Sequence, residues 1–501
     1  MQQQDQFTNR WGIILASLGM AIGAGNLWRF PRLAGQYGGT FILLWILFLL
    51  IWSIPLLLSE FAIGKKFKHG VIHSMSRFAG RRFSWMAFFI TVCTLGIAFY
   101  YSVVTAWSLQ YLWLSVKNLF YKFQGISFAE TLDQQPSFLQ DQWMSISNAN
   151  WLTIAMFVVV VLAGVFMLAK GIKEGLEKVN KVLIPTLFVL LIVIIFTALS
   201  IENGVLGLQY MFTFKVEYFS EPKVWIEALS QSAWSTGAGW GLLMTISSYS
   251  RQNEDVTLNT FIGAFGNNTA SLIAGMAILP AVFALAPNET EAIHYLQQGN
   301  QALTFNVIPN LFARIPGGEF MAVLFFLTLL FAAFSSFLPM IELFVSNLVD
   351  FGVARRKTTV FIIITFIAFG FPSAYNLDFF SNQDWVWGLG LILSGFFILF
   401  AVAKYNPLKF KEELIDLDSD IQINKWYFSV CIYLNLPIAL GLIYWWMSQG
   451  YSSDPWFTST GTWNLFDVYS NATIVTQWGS VLLLGILLNR YLYNRFVIRI
   501  L

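Results

Sequence analysis

Five polar side chains stand in stretches that are otherwise hydrophobic: Asn26, Ser235, Asn267, Ser335 and Ser336. Amide and hydroxyl oxygens are neutral, hard donors of the kind that replaces the hydration shell of a cation such as Na+. Taken singly, each is better read as a link between helices worth ~0.6 kcal/mol. They are accompanied, however, by two glycine-rich interruptions, GMAIGAGN at 19–26 and STGAG at 235–239. An interior Gly costs a helix roughly 1 kcal/mol relative to Ala, and in lipid every backbone group it frees must find a partner or line a cavity. Gly19 and Gly23, four residues apart, also suit a helix-packing face, but packing leaves Asn26 and Arg29 on the same segment unexplained. The combination points to helices opened to present carbonyls, amides and hydroxyls to an ion.

Arg29 and Asp384 are charges at the outer ends of two hydrophobic spans, where charges normally anchor a helix by snorkelling. As a pair across a vestibule they would instead form a closing gate, a pairing the sequence alone does not establish. Enzyme chemistry finds no support. His69 and His73 are spaced i, i+4 but lack the Glu of a zinc-protease motif. There is no phosphate-binding loop, nucleophile elbow or Cys/His cluster in the sequence, so this chain is not expected to use ATP. Cys93 and Cys431 fall in hydrophobic windows and imply no disulfide framework. The net charge of +2 is no nucleic-acid signal.

These residues need elements to position them. The chain has 501 residues, 57% hydrophobic and only 11% charged, and its mean hydropathy of +0.63 lies far outside soluble averages. Twelve windows free of Asp, Glu, Lys and Arg, from 11–28 to 468–489, approach or exceed the ~20 residues a spanning helix needs. An all-α integral membrane protein of 12 transmembrane helices is predicted. The two longest windows, 83–116 and 256–288, exceed one crossing and predict tilt or included loop. With the N-terminus inside, 22 of the 29 Lys and Arg fall on the cytoplasmic side, which predicts both termini in the cytoplasm and a plasma (inner) membrane location. Leu303, Phe305, Val307 and Ile308 in the outer loop 287–319 predict short helices on the membrane face. The two interruptions fall in the first and sixth spans, corresponding positions of two five-helix halves. That is the pattern of an inverted-repeat transporter with its site at the midplane.

The motifs GNLWRFP at 25–31, the pair Tyr100–Tyr101, PKVWIEALSQ at 222–231 leading into STGAG, and FAAFSS at 331–336 resemble the neurotransmitter:sodium symporter family, in particular its bacterial amino acid transporters. The resemblance covers about residues 7–405. It implies two five-helix inverted repeats with unwound helices 1 and 6 in a transport core at 1–405, then a cytoplasmic loop and helices 11 and 12 at 406–501. It implies one sodium site from the carbonyl of Ala21 with Asn26, Ser235 and Asn267, completed by the substrate's carboxylate. A second would use carbonyls of Gly19, Ile22 and Ala332 with the hydroxyls of Ser335 and Ser336. The implied substrate pocket is lined by Met20, Ala21, Ala24, Gly25, Ile97, Tyr101, Trp234, Ser235, Gly237, Trp240, Ser336 and Met340. Tyr101 and Trp234 resemble the aromatic lid, with Trp where Phe is usual, and Arg29 and Asp384 resemble the outer gate, with Gln231 beside it. The family's inner gate pairs an N-terminal Arg with an acid at the end of helix eight. Asp350 matches the acid, but Gln4 stands in place of the Arg, which leaves either a weaker gate or substitution by Arg10.

The function this implies is Na+-coupled symport of a neutral, hydrophobic L-amino acid by alternating access, in a lipid bilayer and without nucleic acid. A channel would need a pore-lining polar stripe or charge ring, and a sensor usually appends a soluble signalling domain; neither is evident. Relatives that carry amines place an Asp at the position of Gly23, so here the substrate must bring the carboxylate. Chloride-independent relatives carry a Glu where Ser271 stands. The resemblance therefore implies a chloride held by Gln231, Ser235, Asn267 and Ser271, with Trp45 where chloride-binding relatives have Tyr. Glu60 or Glu342 would be the alternative source of negative charge.

Overall fold

The computed structural model describes residues 6–135, 137–449 and 452–498, so Gln4 lies outside the described residues. Among the described residues, ten helical runs are long and apolar enough to cross a membrane. The first, Ala24–Phe67, turns at Gly38, where φ is +62° and a Cβ would lie 2.6 Å from the Thr213 carbonyl oxygen. Only glycine combines that backbone with that approach. The run therefore holds the second half of span one and all of span two, and the shorter helices Pro222–Ser235 and Leu242–Ser248 make up span six. Twelve spans result: α1 (Arg10–Ala21 and 24–37), α2 (39–67), α3 (Ser84–Phe123), α4 (Trp151–Ala169), α5 (Lys178–Leu199), α6 (Pro222–Ser235 and Leu242–Ser248), α7 (Val256–Leu285), α8 (Gly318–Asp350), α9 (Arg355–Tyr375), α10 (Leu377–Tyr405), α11 (Lys425–Ser448) and α12 (Asn471–Tyr493). Among the described residues the β-type pairing is one isolated bridge, Phe457 with Trp463.

Short polar residues start these helices by supplying acceptors for first-turn N–H groups that have no partner within the helix. Asn9 accepts from Gly12 N for α1, Asn150 from Leu152 and Thr153 for α4, Asp255 from Leu258 for α7, and Asn376 from Phe379 for α10. The two longest windows are almost wholly helical: α3 is one helix of 40 residues and α7 one of 30, after which 286–288 of the second window form a bend. At 1.5 Å per residue α3 runs well past a bilayer's hydrocarbon thickness. The outer loops do form short helices, Phe128–Gln134, Phe138–Ser147, Glu289–Gln297 and Ile308–Ala313.

α3 packs along α8, and α1 lies between α5, α7 and α8. Two glycines let α1 approach α5 and the helical turn before it: a Cβ on Gly12 would strike the Glu177 carboxylate at 2.6 Å, and one on Gly19 the Asn180 amide at 2.7 Å. Both halves of α6 rest on α2 and its junction with α1. The breaks in α1 and α6 are thereby held side by side in the middle of the bundle.

Candidate functional site

α1 leaves the helix at Ile22 and Gly23, both extended. The amide groups freed there are taken up locally. Gly23 N donates to Asn26 Oδ1 at 2.9 Å and Ala24 N to the Tyr101 hydroxyl at 3.1 Å. A side chain at 23 has no room, since a Cβ would meet Tyr101 Oη at 2.9 Å and Ser336 Oγ at 3.0 Å. The α6 break bends through Gly237, Gly239 and Gly241 at φ of +71°, +92° and +73°, the left-handed region that favours glycine. Glu60 of α2 is fully buried beneath it, accepting from Gly239 N at 2.6 Å and Met244 N at 3.4 Å. That structural role was not read from the sequence. The available signal was a lone acid at the end of a long charge-free window, 33–59.

Beside the α1 break, the serines of α8 reach across to its carbonyls. Ser336 Oγ lies 3.1 Å from Gly19 O and 3.2 Å from Ile22 O, while Ser335 Oγ lies 3.2 Å from Ile22 O and 3.0 Å from Ala332 O. The two hydroxyls named for the second cation site thus bond the three carbonyls named with them, in a buried cluster. They are neutral oxygens, the donor set that suits Na+.

The groups named for the first site also meet. Asn26 Nδ2 donates to Asn267 Oδ1 and to Ser271 Oγ, each at 2.8 Å, and Asn267 Nδ2 to Ser235 Oγ at 2.8 Å. The end of the Asn267 amide that faces Asn26 also lies 3.0 Å from the carbonyl oxygens of Ala21 and Ser235. With nitrogen there, the amide donates to both carbonyls. Nearby on α6, Gln231 is buried with neither amide atom partnered among the described residues, as is the indole N–H of Trp45 on α2.

A cavity of about 520 Å³ opens from these breaks toward the helix ends that carry Arg29, Glu227 and Asp384, the ends expected to face outward. Of the residues named for the substrate pocket, Met20, Ala21, Gly25, Tyr101, Trp234, Ser235, Gly237, Trp240, Ser336 and Met340 line it. Ala24 and Ile97 do not. Both are fully buried, Ala24 behind the α1 break and Ile97 within the α3 packing. The Lys, Arg, Asp and Glu side chains that reach the cavity are Arg29, Arg32, Glu227 and Asp384, all from the outer helix ends.

The charge pairs differ from expectation. Arg29 donates to Glu227 at 3.1 Å and to Ser230 at 2.8 Å on the outer half of α6, rather than pairing with Asp384. Asp384 sits beside the Tyr100 hydroxyl, near enough to feel the Arg29 charge. α1 and α6 pack against each other, so the guanidinium finds the nearer carboxylate, while Asp384 stands across the open cavity on α10. At the inner face Arg10 pairs with Glu254 at 3.6 Å and does not replace the missing gate arginine. Asp350 pairs with His69 Nδ1 at 2.8 Å and accepts from Gly70 N at 2.6 Å, because the α2–α3 loop passes under the end of α8. His69 stacks on His73 at 3.9 Å, and burial together with the His69 charge pushes His73 down to about 4. The buried charge contact that does join α6 to α8 is Tyr249 Oη donating to Glu342 at 2.7 Å, with Arg355 of α9 on the same carboxylate at 2.8 Å.

A twelve-helix fold with broken first and sixth spans around a midplane cavity defines a secondary transporter of the inverted-repeat class. The signature of the sodium:neurotransmitter symporter family matches residues 4–122 and 129–453, and the chain belongs to that family of sodium-dependent symporters. An uncharacterized sodium-dependent transporter of Methanocaldococcus jannaschii is 28% identical over 435 residues, 85% of this chain and 87% of that protein. The uncharacterized sodium-dependent transporter YhdH of Bacillus subtilis is 28% identical over 467 residues, covering 88% and 97%. Among solved structures, MhsT in complex with L-phenylalanine superposes with a TM-score of 0.75 at 26% identity, covering 88% of this chain and 99% of that one.

Proposed function

We propose that this symporter couples the entry of a neutral, hydrophobic L-amino acid to two Na+ by alternating access, with chloride as a supporting anion. The observation that carries the reading is the meeting of two neutral-oxygen clusters at the α1 break, one of them opening onto the cavity through Ala21, Ser235 and Asn26. A zwitterion's carboxylate completes the first cluster. Gly23 supports this, since the space where a side-chain carboxylate would have to start is occupied by Tyr101 and Ser336. Met20, Trp234, Trp240 and Met340 surround the level of the breaks, where a charged substrate side chain would be buried without a partner at large cost. The structural relative holding L-phenylalanine is consistent with that class of ligand. Each net positive charge carried inward gains ~2.3 kcal/mol per 100 mV of membrane potential, which drives accumulation.

Two Na+ and one zwitterion leave excess positive charge in a low dielectric, which an anion relieves. The unpartnered amide of Gln231 and the Ser271 hydroxyl are donors for it. The acids that would otherwise serve are engaged elsewhere, Glu60 with the α6 break and Glu342 with Arg355 and Tyr249.

Counterflow in proteoliposomes tests the reading against a channel or a sensor on the same scaffold. Internal unlabelled amino acid should stimulate uptake of labelled leucine or phenylalanine only with Na+ present. Decarboxylated amines that compete as well as the parent amino acids, or Lys and Glu that outcompete Leu and Trp, would refute it.

A further inference from the structure

Trp234 closes the outer half of α6, and its indole leans over the cavity from a position wedged between two neighbours. On one side it meets Trp240 edge-on, with ring centroids 5.6 Å apart and planes at 84°. On the other, its benzo edge lies directly on Gly388 of α10, where a Cβ would sit 2.6 Å from Cζ2 and 3.1 Å from Cη2. Gly388 has no left-handed backbone to explain it, and glycine is a poor helix former, so what it supplies is space. Gly395, seven residues on along α10, plays the matching part at the break itself. A Cβ on Gly239 would come within 2.9 Å of its Cα. α10 has little freedom to retreat, because the neighbouring Trp387 is pressed onto Gly96 of α3, whose Cβ would fall 2.6 Å from the ring. A side chain at 388 must therefore move the indole, and the open direction is the cavity that Gly388 and Trp234 both line.

We propose that Gly388 is the seat of the Trp234 lid and a specificity-determining position: its missing side chain sets how much of the cavity remains for the side chain of the substrate. The specificity part rests on the proposed amino acid substrate; the seating of the lid does not, and the two are read separately.

The test uses the full-length protein as wild type, Gly388→Ala, Trp234→Phe and the double variant, since a phenyl ring lacks the atoms that would meet the new Cβ. In a Na+-dependent binding panel, Gly388→Ala should weaken tryptophan and phenylalanine at least tenfold while alanine and Na+ change less than threefold. Trp234→Phe in that background should bring the large ligands back to within threefold of Trp234→Phe alone. A second readout needs no substrate. Gly25 lines the cavity with nothing within 4 Å of a Cβ, so Gly25→Cys, with Cys93 and Cys431 replaced, reports access for an impermeant thiosulfonate reagent. Its labelling should slow at least fivefold in Gly388→Ala and recover in the double variant. Loss spread evenly over ligand sizes, no loss, or no recovery with phenylalanine at 234 overturns the inference. If the wild type binds no amino acid, the proposed substrate fails while the labelling still decides the seat. If Gly388→Ala does not reach the membrane, the double variant must; its absence too would overturn the seat.

Discussion

Replacing Glu60 by Gln keeps the side chain's shape and exchanges one of its two oxygens for an NH2 donor, which isolates what the second acceptor does for the α6 break. In the structure one oxygen accepts from Gly239 N at 2.6 Å and the other faces Met244 N at 3.4 Å, with no exposure to solvent. An amide can keep one acceptor, most favourably on Gly239, and must then turn its NH2 toward the N–H of Met244. The bond to Gly239 is kept, while the buried N–H of Met244 loses its acceptor and faces a second donor, at about 1–3 kcal/mol. A net of about 2 kcal/mol is expected against the unwound conformation, roughly a thirtyfold loss in its population. Ser235, Gly237 and Trp240 take their positions from that conformation, so substrate and Na+ affinity should fall together by roughly ten- to a hundredfold. Equilibrium binding of labelled amino acid to the purified variant, titrated with Na+, measures both. Wild-type affinities for both ligands in a variant with intact Glu60→Gln substitution would show that the carboxylate does not hold the break.

Asn26→Ala, Asn267→Ala and Ser336→Ala should each lower apparent Na+ affinity several-fold to a hundredfold, in line with about 1–3 kcal/mol per lost charged-group contact, while the melting temperature holds; a fallen melting temperature with unchanged Na+ dependence would mark them as helix links. Replacing chloride by gluconate at fixed Na+ should reduce substrate affinity, and Ser271→Glu should remove that dependence; full activity of the wild type in gluconate would sink the anion. His73 titrates near 4 when folded against an ordinary 6.5, so the unfolded chain takes up the proton first. Stability from the neutral ring is complete above pH 6.5 and is lost as pH falls toward 4, by at most about 3 kcal/mol. His73→Leu should flatten the fall in melting temperature between pH 7 and pH 4.5, and an unchanged slope would exclude this histidine.

What could be read in the residues themselves is what depends on local composition. Hydrophobic length sets the spans, and the glycines of 19–25 and 237–239 mark the breaks, because a helix in lipid cannot be opened without such a signal. The polar side chains of Asn26, Ser235, Asn267, Ser335 and Ser336 stand out for the same reason: polar groups are conspicuous in hydrocarbon. Span boundaries were less secure where a turn carries no charge, as at Gly38 within the run Ala24–Phe67. Which charges meet was settled only by the tertiary structure. Arg29 takes Glu227, 198 residues away, instead of Asp384, and Asp350 takes His69, 281 residues away, instead of an arginine. Glu60 spends its oxygens on backbone amides of a distant helix break. A long flexible cation or a carboxylate accepts any partner within a few ångströms, so its choice follows from how whole helices pack, and no local pattern encodes that distance. The seat of Trp234 on Gly388 is of the same kind, since the room one residue leaves has meaning only beside the ring that fills it.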